Sequence, residues 1–254
     1  MRKFLIGSAT GVLLLLASSV QAQGTWTTWT PLDSRLIVSI NGGGQFGTSD
    51  FDSRTSFPLY DEQAEILTNQ KVGNGGIFDI GAAYRVGANW GAGFAFNTAG
   101  GSGDAVVAGT LPHPAVFDQP RTFTSSASDL EHKEHAVHLQ AVWFVPFTDK
   151  VSFMFAGGPS FFGVKQTFVT GVDFTEQPPN YNSVTINSLS TTDRSKWGAG
   201  FNISGDMNYS FTPNLGAGLL LRYSRGTVGF DFGDQTVDVH PGGFQLAVGG
   251  RIRL

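Results

Sequence analysis

Gly-Gly-Phe-Gln-Leu-Ala-Val-Gly-Gly-Arg-Ile-Arg-Leu, residues 242–254, ends the chain. Every second position holds a bulky apolar residue or a glycine, and both arginines fall in the other register. Successive side chains of a β-strand point to opposite faces, so the pattern predicts a strand with one apolar and one polar face. A terminal strand leaves an open edge unless it pairs on both sides. We therefore expect this strand to close a barrel by pairing with the first strand.

Earlier segments with the same alternation predict the other strands of the barrel. We place these strands at 35–46, 77–86, 90–97, 134–145, 151–162, 196–211 and 215–224. In all of them the charged residues lie on the face opposite the bulky apolar side chains. A charge that faces lipid at the bilayer midplane costs about 2–4 kcal/mol, so the apolar face is expected to contact lipid.

The connections between the predicted strands alternate in length. Three are tight turns, whereas those at about 48–76, 98–133, 163–195 and 225–241 are long and polar. Outer-membrane barrels have short periplasmic turns and long extracellular loops. The sequence therefore predicts an all-β fold, an eight-stranded antiparallel up-and-down transmembrane β-barrel with long extracellular loops and both termini in the periplasm. Within the loops, 166–170 and 184–186 resemble strand extensions above the membrane.

The composition agrees with a membrane protein and excludes other classes. Only 14% of the residues are charged, whereas about 25% is usual in soluble domains. No run of about 20 apolar residues follows the N-terminal region, so a helical membrane span is not expected. The formal net charge is −4, and no basic segment with interleaved aromatic residues suggests nucleic acid.

Residues 1–22 have the features of a secretory signal peptide. Arg2 and Lys3 precede an apolar stretch, and the segment at 20–22 offers small residues for cleavage. We expect cleavage rather than retention as a membrane anchor.

The mature chain then divides into a leader and the barrel. Residues 23–33 form a short periplasmic leader, and residues 34–254 form the outer-membrane β-barrel. Trp26 and Trp29 in the leader are expected to anchor at the membrane interface, where tryptophan is favoured. Sugar binding by the two tryptophans is the alternative.

Charges on the inner face of the barrel need partners. An eight-stranded barrel has an interior that side chains can fill, or that holds one small ligand. Asp206 and Arg222 flank a tight turn and come near each other diagonally on the lumen face. We hypothesise an ion pair between them, joined by Arg251 from the next strand, in a lumen network that includes Asp79. Barrel size favours a plugged lumen over a conduction filter.

The segment Glu131-His132-Lys133-Glu134-His135-Ala136-Val137-His138 is a candidate metal site by residue type. Zinc ligands must converge on one centre. On a strand, His132 and His138 share a face but lie about 20 Å apart, and His135 points the other way. Only Glu134 is placed to cooperate with His132 or His138, so no metal site is expected, and no cofactor. No serine, histidine and acid constellation stands out, so no catalytic activity is expected.

The signal peptide, the amphipathic strands, the Gly-Gly-Pro-Ser-Phe-Phe run at 157–162 and the terminal strand resemble the small outer-membrane β-barrel superfamily. This group includes the outer-membrane protein A barrel, the outer-membrane protein W group and the opacity-type adhesins. The resemblance covers about 34–254 and implies a bacterial outer-membrane location. It also implies contact with outer-membrane lipid and lipopolysaccharide, and assembly by the barrel-assembly machinery. The group usually ends in an aromatic residue, whereas this chain ends in Leu254.

Two functions fit these predictions. The first is a non-enzymatic structural or surface-interaction role, with a surface ligand bound through the extracellular loops, because loops on a rigid scaffold often carry recognition. The alternative, which the outer-membrane protein W resemblance suggests, is a narrow porin-like channel for small or hydrophobic solutes. A blocked lumen with ordered loops favours the first function, and a continuous lumen free of crossing ion pairs favours the second.

Overall fold

The computed structural model describes residues 35–47, 49–232 and 235–254. The predicted signal peptide at 1–22 and the predicted leader at 23–33 lie outside these residues. None of the described residues forms a helix long and apolar enough to cross a bilayer. The described chain consists of antiparallel β-strands and their turns.

The strands, in chain order, are β1 (Leu36–Phe46), β2 (Ser49–Leu59), β3 (Glu62–Val72), β4 (Gly75–Arg85), β5 (Trp90–Leu111), β6 (Arg121–Pro146), β7 (Val151–Glu176), β8 (Val184–Ser210), β9 (Leu215–Phe232), β10 (Gln235–Val239) and β11 (Gly242–Arg253).

Eight of these strands pair in a ring. Its order is β1, β4, β5, β6, β7, β8, β9, β11 and back to β1. The last strand pairs with the first from Ile37 opposite Arg253 to Phe46 opposite Phe244. The predicted antiparallel barrel is confirmed, and each of its eight strands overlaps one of the predicted segments.

The long connections lie where they are predicted, but most of their residues form strands and not irregular polar loops. Strands β2, β3 and β10 lie entirely within the predicted loops, and strands β5 to β9 run far beyond their predicted ends. The segments at 166–170 and 184–186 fall inside β7 and β8, as expected for strand extensions. We call residues 49–72, 101–134, 164–198 and 225–239 together the extension.

The extension is missed because its pattern is inverted. Within the membrane part of the barrel polar side chains such as Asn202 and Ser204 on β8 point inward. A small apolar cluster lies near the short turns: Ile37, Ala83, Val142, Phe144 and Met154. Within the extension the inward positions are apolar, for example Phe168 on β7 and Ile66 on β3. A soluble β-structure buries its apolar face, so the phase of the alternation reverses where the strands leave the bilayer.

Two apolar clusters fill the extension. The cluster nearer the membrane, which we call the cap cluster, joins six strands, β2, β3, β6, β7, β9 and β10: Phe51, Val72, Ala136, Phe162, Val164, Phe168, Val228, Phe230, Val237 and Val239. The distal cluster comprises Ala64, Ile66, Ala105, Val107, Leu111, Phe123, Leu130 and Val169. Both are buried, so the extension is a packed structure and not a set of independent loops.

Glycines mark the junction between the barrel and the extension. Gly47 follows β1 with φ +148°, and Gly242 begins β11 with φ +97°. These backbone conformations are rarely adopted by residues with a side chain. A Cβ on Gly242 would also lie 2.3 Å from the carbonyl oxygen of Ser224. The glycines therefore allow the chain to change direction between β1 and β2 and between β10 and β11.

Candidate functional site

A belt of large apolar side chains surrounds the barrel. Its exposed members lie on every strand of the ring and include Ile40, Ile80, Phe94, Leu139, Phe155, Phe201, Ile203, Leu221, Leu246, Val248 and Ile252. The inner face of the same strands carries buried polar and charged side chains, among them Asp79, Arg222 and Arg251. Apolar residues outside and polar residues inside are the arrangement that a bilayer requires. The chain is a transmembrane β-barrel.

A buried ion pair crosses the lumen. Arg222 on β9 places Nη1 2.6 Å from Oδ2 of Asp79 on β4. Strands β1 and β11 lie between β4 and β9 in the ring, so the pair spans the interior and does not join neighbouring strands. The side chains are 3% and 1% exposed. This contact therefore occupies the middle of the lumen.

A second buried pair joins the first through an amide. Arg251 on β11 places Nη2 2.6 Å from Oδ2 of Asp206 on β8. Its Nη1 donates to Oδ1 of Asn41 at 2.6 Å, and Nδ2 of Asn41 donates to Oδ1 of Asp79 at 2.7 Å. The four predicted residues thus lie in one continuous network across the barrel.

The predicted pairing of Asp206 with Arg222 is wrong. Asp206 pairs with Arg251, and Arg222 pairs with Asp79. The reason is Gly218 on β9, because the absence of a side chain there leaves space for Arg251 to extend across β9 to β8. A Cβ on Gly218 would lie 2.5 Å from Cζ of Arg251. A glycine that faces the lumen beside an arginine was the signal in the sequence that could have indicated this pairing.

His138 belongs to a polar layer above the ion pairs. Its Nε2 lies 3.0 Å from Nδ2 of Asn97, which is a donor, so Nε2 accepts and Nδ1 carries the hydrogen. Nδ1 then donates to Oγ of Ser160 at 2.7 Å. Oγ of Ser160 also accepts a hydrogen bond from Nδ2 of Asn202 at 2.9 Å. The histidine therefore acts as a donor to this serine and links β5, β6 and β7.

His132 and Glu134 form a buried pair above the apolar belt. Nε2 of His132 lies 2.7 Å from Oε1 of Glu134, and Nδ1 of His132 contacts Oε1 of Gln166. Oε2 of Glu134 accepts from Nε2 of Gln45 at 3.0 Å and from the backbone N–H of Gly242 at 2.9 Å. Glu134 on β6 thus reaches across the barrel to β1 and β11. Among the described residues no group of three histidine, cysteine or acidic side chains is placed to hold a metal ion.

The charge of Glu134 controls the titration of His132. Burial lowers the pKa of His132, but the hydrogen bond with Glu134, the negative charge of Glu134 and the hydrogen bond with Gln166 together outweigh burial, so the pKa is raised. The unfolded value is about 6.5. Since the folded pKa is the higher one, the pair stabilises the fold fully below about pH 6.5, and this contribution is lost as the pH rises through the raised pKa.

We expect His132→Gln to cost more stability at about pH 6 than at about pH 9, because only the protonated imidazole gains from Glu134. The measurement is the difference in free energy of unfolding between the wild type and the variant, from urea titrations at both pH values. Ser190→Ala, an exposed and non-titrating change on β8, serves as the control. An equal difference for His132→Gln at both pH values would contradict the assignment.

The cap cluster closes the lumen above the polar layers. Phe168 on β7 lies 5.1 Å and 4.8 Å, between ring centroids, from Phe230 and Phe232 on β9. It also lies 5.7 Å from Phe51 on β2. Strand β8 separates β7 from β9 in the ring, and its pairing with β9 stops at Ala199. The β9–β10 hairpin therefore packs on the inner face of β7 and covers the barrel.

Two small cavities lie inside the barrel among the described residues. One of about 40 Å³ is bounded by the ion-pair network, including Asn41, Asp79, Asp206 and Arg222. Another of about 20 Å³ lies beside Glu134 at the glycine junction. A water needs about 10–15 Å³ of such space, so each cavity has room for one or a few waters.

Comparisons with known proteins find similarity at the level of fold. No protein family and no curated protein matches the sequence. Among solved structures, Neisserial surface protein A is 13% identical with a TM-score of 0.43, over 87% of this chain and 98% of that chain. The outer membrane protein OprG from Pseudomonas aeruginosa is 11% identical with a TM-score of 0.43, over 87% and 97%. Both are small outer-membrane barrels, the class that the sequence resembles.

The expectation that the chain has no catalytic activity is contradicted. The outer membrane protease OmpT from Escherichia coli is also similar, with 9% identity and a TM-score of 0.48 over 91% of this chain and 100% of that chain. Barrels of this general form therefore include an enzyme, and the fold does not exclude one.

Proposed function

We propose that this chain is a bacterial outer-membrane barrel whose lumen is closed and which acts through its extension. The observation that carries the proposal is the Arg222–Asp79 pair, which crosses the lumen beneath the cap cluster. Leaving one member of a buried ion pair without its partner costs about 3–5 kcal/mol, so we expect this pair to stay closed. A passing ion would also have to displace the buried aromatic side chains above it.

The proposal includes the location and orientation predicted from the sequence. The segment at 1–22 directs export and is cleaved, both termini lie in the periplasm, and the extension projects from the cell. Lipid and lipopolysaccharide surround the belt after insertion by the barrel-assembly machinery. Lys133 and Lys165 lie just above the belt and are bridged by Glu131, with 2.7 Å between Nζ of Lys165 and Oε2 of Glu131.

The extension is suited to surface recognition because it is rigid. Its strands are hydrogen-bonded well beyond the membrane, for instance β7 with β8 as far as Glu176 opposite Val184. Its two apolar clusters hold opposite walls together. A binding surface that is ordered before the partner arrives loses less conformational entropy on binding. The competing function, a narrow channel, requires a continuous path that these layers interrupt.

The proposal predicts that the folded mature chain, residues 23–254, does not conduct ions in planar bilayers. The expected recording is a silent bilayer after insertion of protein whose folding is shown by its heat-dependent mobility in gels. A known porin inserted under the same conditions is the positive control. Discrete and reproducible openings from this chain would overturn the closed-lumen proposal.

A further inference from the structure

Three connections meet at the distal tip of the extension. They are the β2–β3 turn at 60–61, the β5–β6 loop at 112–120 and the β7–β8 loop at 177–183. The backbone N–H of Asp118 donates to Oε1 of Glu62 at 3.0 Å, which joins the β5–β6 loop to the first residue of β3, directly after the β2–β3 turn. We call these three connections the tip.

A buried arginine holds two loops of the tip together. Arg121 places Nη2 2.7 Å from Oε1 of Glu176, and the two side chains are 4% and 18% exposed. Nη1 of Arg121 donates to the carbonyl oxygen of Tyr181 at 3.1 Å. The side chain therefore ties the base of the β5–β6 loop to the β7–β8 loop, and its charge is neutralised by Glu176.

A buried histidine also holds these two loops together. Nε2 of His113 lies 2.9 Å from the carbonyl oxygen of Asn180, so this nitrogen donates. Nδ1 accepts from the backbone N–H groups of Ala115 and Val116 at 3.1 Å and 3.0 Å. The imidazole fixes the path of the β5–β6 loop just before its most exposed residues.

Apolar side chains project from this ordered tip into solvent. Phe117 is 70% exposed, Val116 is 48% exposed and Tyr60 is 42% exposed. None of them lies in the lipid-facing belt, so the bilayer does not account for them. Exposed aromatic residues on a preorganised surface are typical of the residues that dominate protein interfaces.

The turn that carries Tyr60 is strained. Tyr60 and Asp61 both have left-handed backbone conformations, with φ of 52° and 62°. A two-residue hairpin turn of this kind is favoured by Asn-Gly, and a bulky residue with positive φ is unusual. Strain of this kind is often retained where it places a side chain for function.

The exposed charges on the tip are all acidic. Asp61 and Asp118 are exposed, and Glu62 is half-buried between them in the structure. The cation in this region, Arg121, is buried and paired with Glu176. A surface that combines exposed aromatic side chains with neighbouring acidic ones is complementary to a partner with apolar and basic side chains.

We propose that the tip binds a cationic polypeptide segment. Lysine or arginine side chains of the partner lie against Asp61 and Asp118, and its apolar or aromatic side chains pack on Phe117 and Tyr60. Cation–π contact with the two aromatic rings adds to the attraction. This inference rests on the proposed function, because it assigns a partner class to the extension of a closed barrel.

The test is a binding assay with the full mature chain in detergent micelles and two immobilised probes. The probes are a random copolymer of lysine and tyrosine and a random copolymer of glutamate and tyrosine. We expect selective binding to the lysine copolymer that weakens as the salt concentration rises. The double variant Phe117→Ser with Asp118→Asn should lower that affinity by about tenfold or more, since it removes one aromatic anchor and one charge.

A matched control lies at the opposite end of the barrel. Phe147 is 71% exposed and Asp149 is exposed in the β6–β7 turn, so Phe147→Ser with Asp149→Asn makes the same chemical change there. This control should bind the lysine copolymer as the wild type does. A second tip variant, Tyr60→Asn with Asp61→Gly, removes the other aromatic ring and its neighbouring charge, and both new residues suit the turn. The hydrogen bond of Tyr60 with Glu176 is lost, so the folding of this variant is checked by heat-dependent mobility in gels. This variant should also lose binding.

Equal binding by the tip variants and the control, or no preference for the lysine copolymer, would overturn the inference. This failure differs from failure of the proposed function. A silent bilayer with no selective binding would reject only the cationic partner, whereas channel openings would reject the closed barrel whatever the binding result.

Discussion

Replacing Asp79 by alanine will lower the free energy of unfolding by about 3–5 kcal/mol, because it leaves the Arg222 charge buried without its partner. Arg222 is 3% exposed and cannot turn to solvent without repacking the lumen. Its remaining side-chain contact is Nη1 to Oε1 of Gln245 at 3.4 Å, which is too long to replace the carboxylate. Urea unfolding of the refolded protein in micelles, followed by tryptophan fluorescence, measures the loss.

Double-mutant cycles distinguish the observed pairs from the pairing expected from sequence. The cycle of Asp79→Ala with Arg222→Ala should give a large coupling energy, and so should Asp206→Ala with Arg251→Ala. The cycle of Asp206→Ala with Arg222→Ala should give a clearly smaller one. A cycle in which Asp206 couples most strongly to Arg222 would contradict the network. An unchanged melting point for Asp206→Ala would do so as well.

The barrel could be predicted because a bilayer imposes one rule on every strand. Side chains that face lipid must be apolar, so residues such as Leu246 and Val248 on β11 reveal both the strand and its orientation. The extension obeys the opposite rule, because Phe230 on β9 points inward and Asp231 points outward. The pattern of outward apolar residues therefore does not identify the strands of the extension, and the sequence predicts polar loops in their place.

The lumen charges could be predicted as a group but not as pairs. Alternation along each strand places Asp79, Asp206, Arg222 and Arg251 on the inner face. Which carboxylate meets which arginine depends on the reach of a long side chain across the lumen. That reach is decided by Gly218, whose missing side chain lets Arg251 pass over β9. The path of the Arg251 side chain depends on the stagger of the strands around the ring. The alternation of apolar and polar residues along one strand does not specify that stagger.

The contacts that order the tip had no signal in the sequence. His113 and Arg121 lie at the two ends of a proline-containing loop and bind backbone carbonyl oxygens of another loop. A carbonyl oxygen is present in every residue, so the sequence does not mark it as a partner. Only the meeting of the β5–β6 and β7–β8 loops in space brings these groups together.

Phe168→Ala will lower the free energy of unfolding by about 3–5 kcal/mol, because it leaves a cavity at the centre of the cap cluster. Phe168 is fully buried and its ring contacts three other phenylalanines, which belong to β2 and β9. Urea unfolding in micelles measures the loss. Phe117→Ala is the matched control and should cost less than about 1 kcal/mol, since Phe117 is 70% exposed.

The same variant tests how the lumen is closed. The cap cluster and the ion-pair network block the lumen in series, so removing the Phe168 ring alone should leave the bilayer silent. Adding Asp79→Ala and Arg222→Ala should not open the lumen either, because the Arg251–Asp206 pair and the inward apolar cluster near the short turns remain. This cluster comprises Ile37, Ala83, Val142, Phe144 and Met154. Discrete openings from Phe168→Ala alone would contradict this series of barriers, because they would show that the buried layers beneath the cap cluster do not obstruct ions.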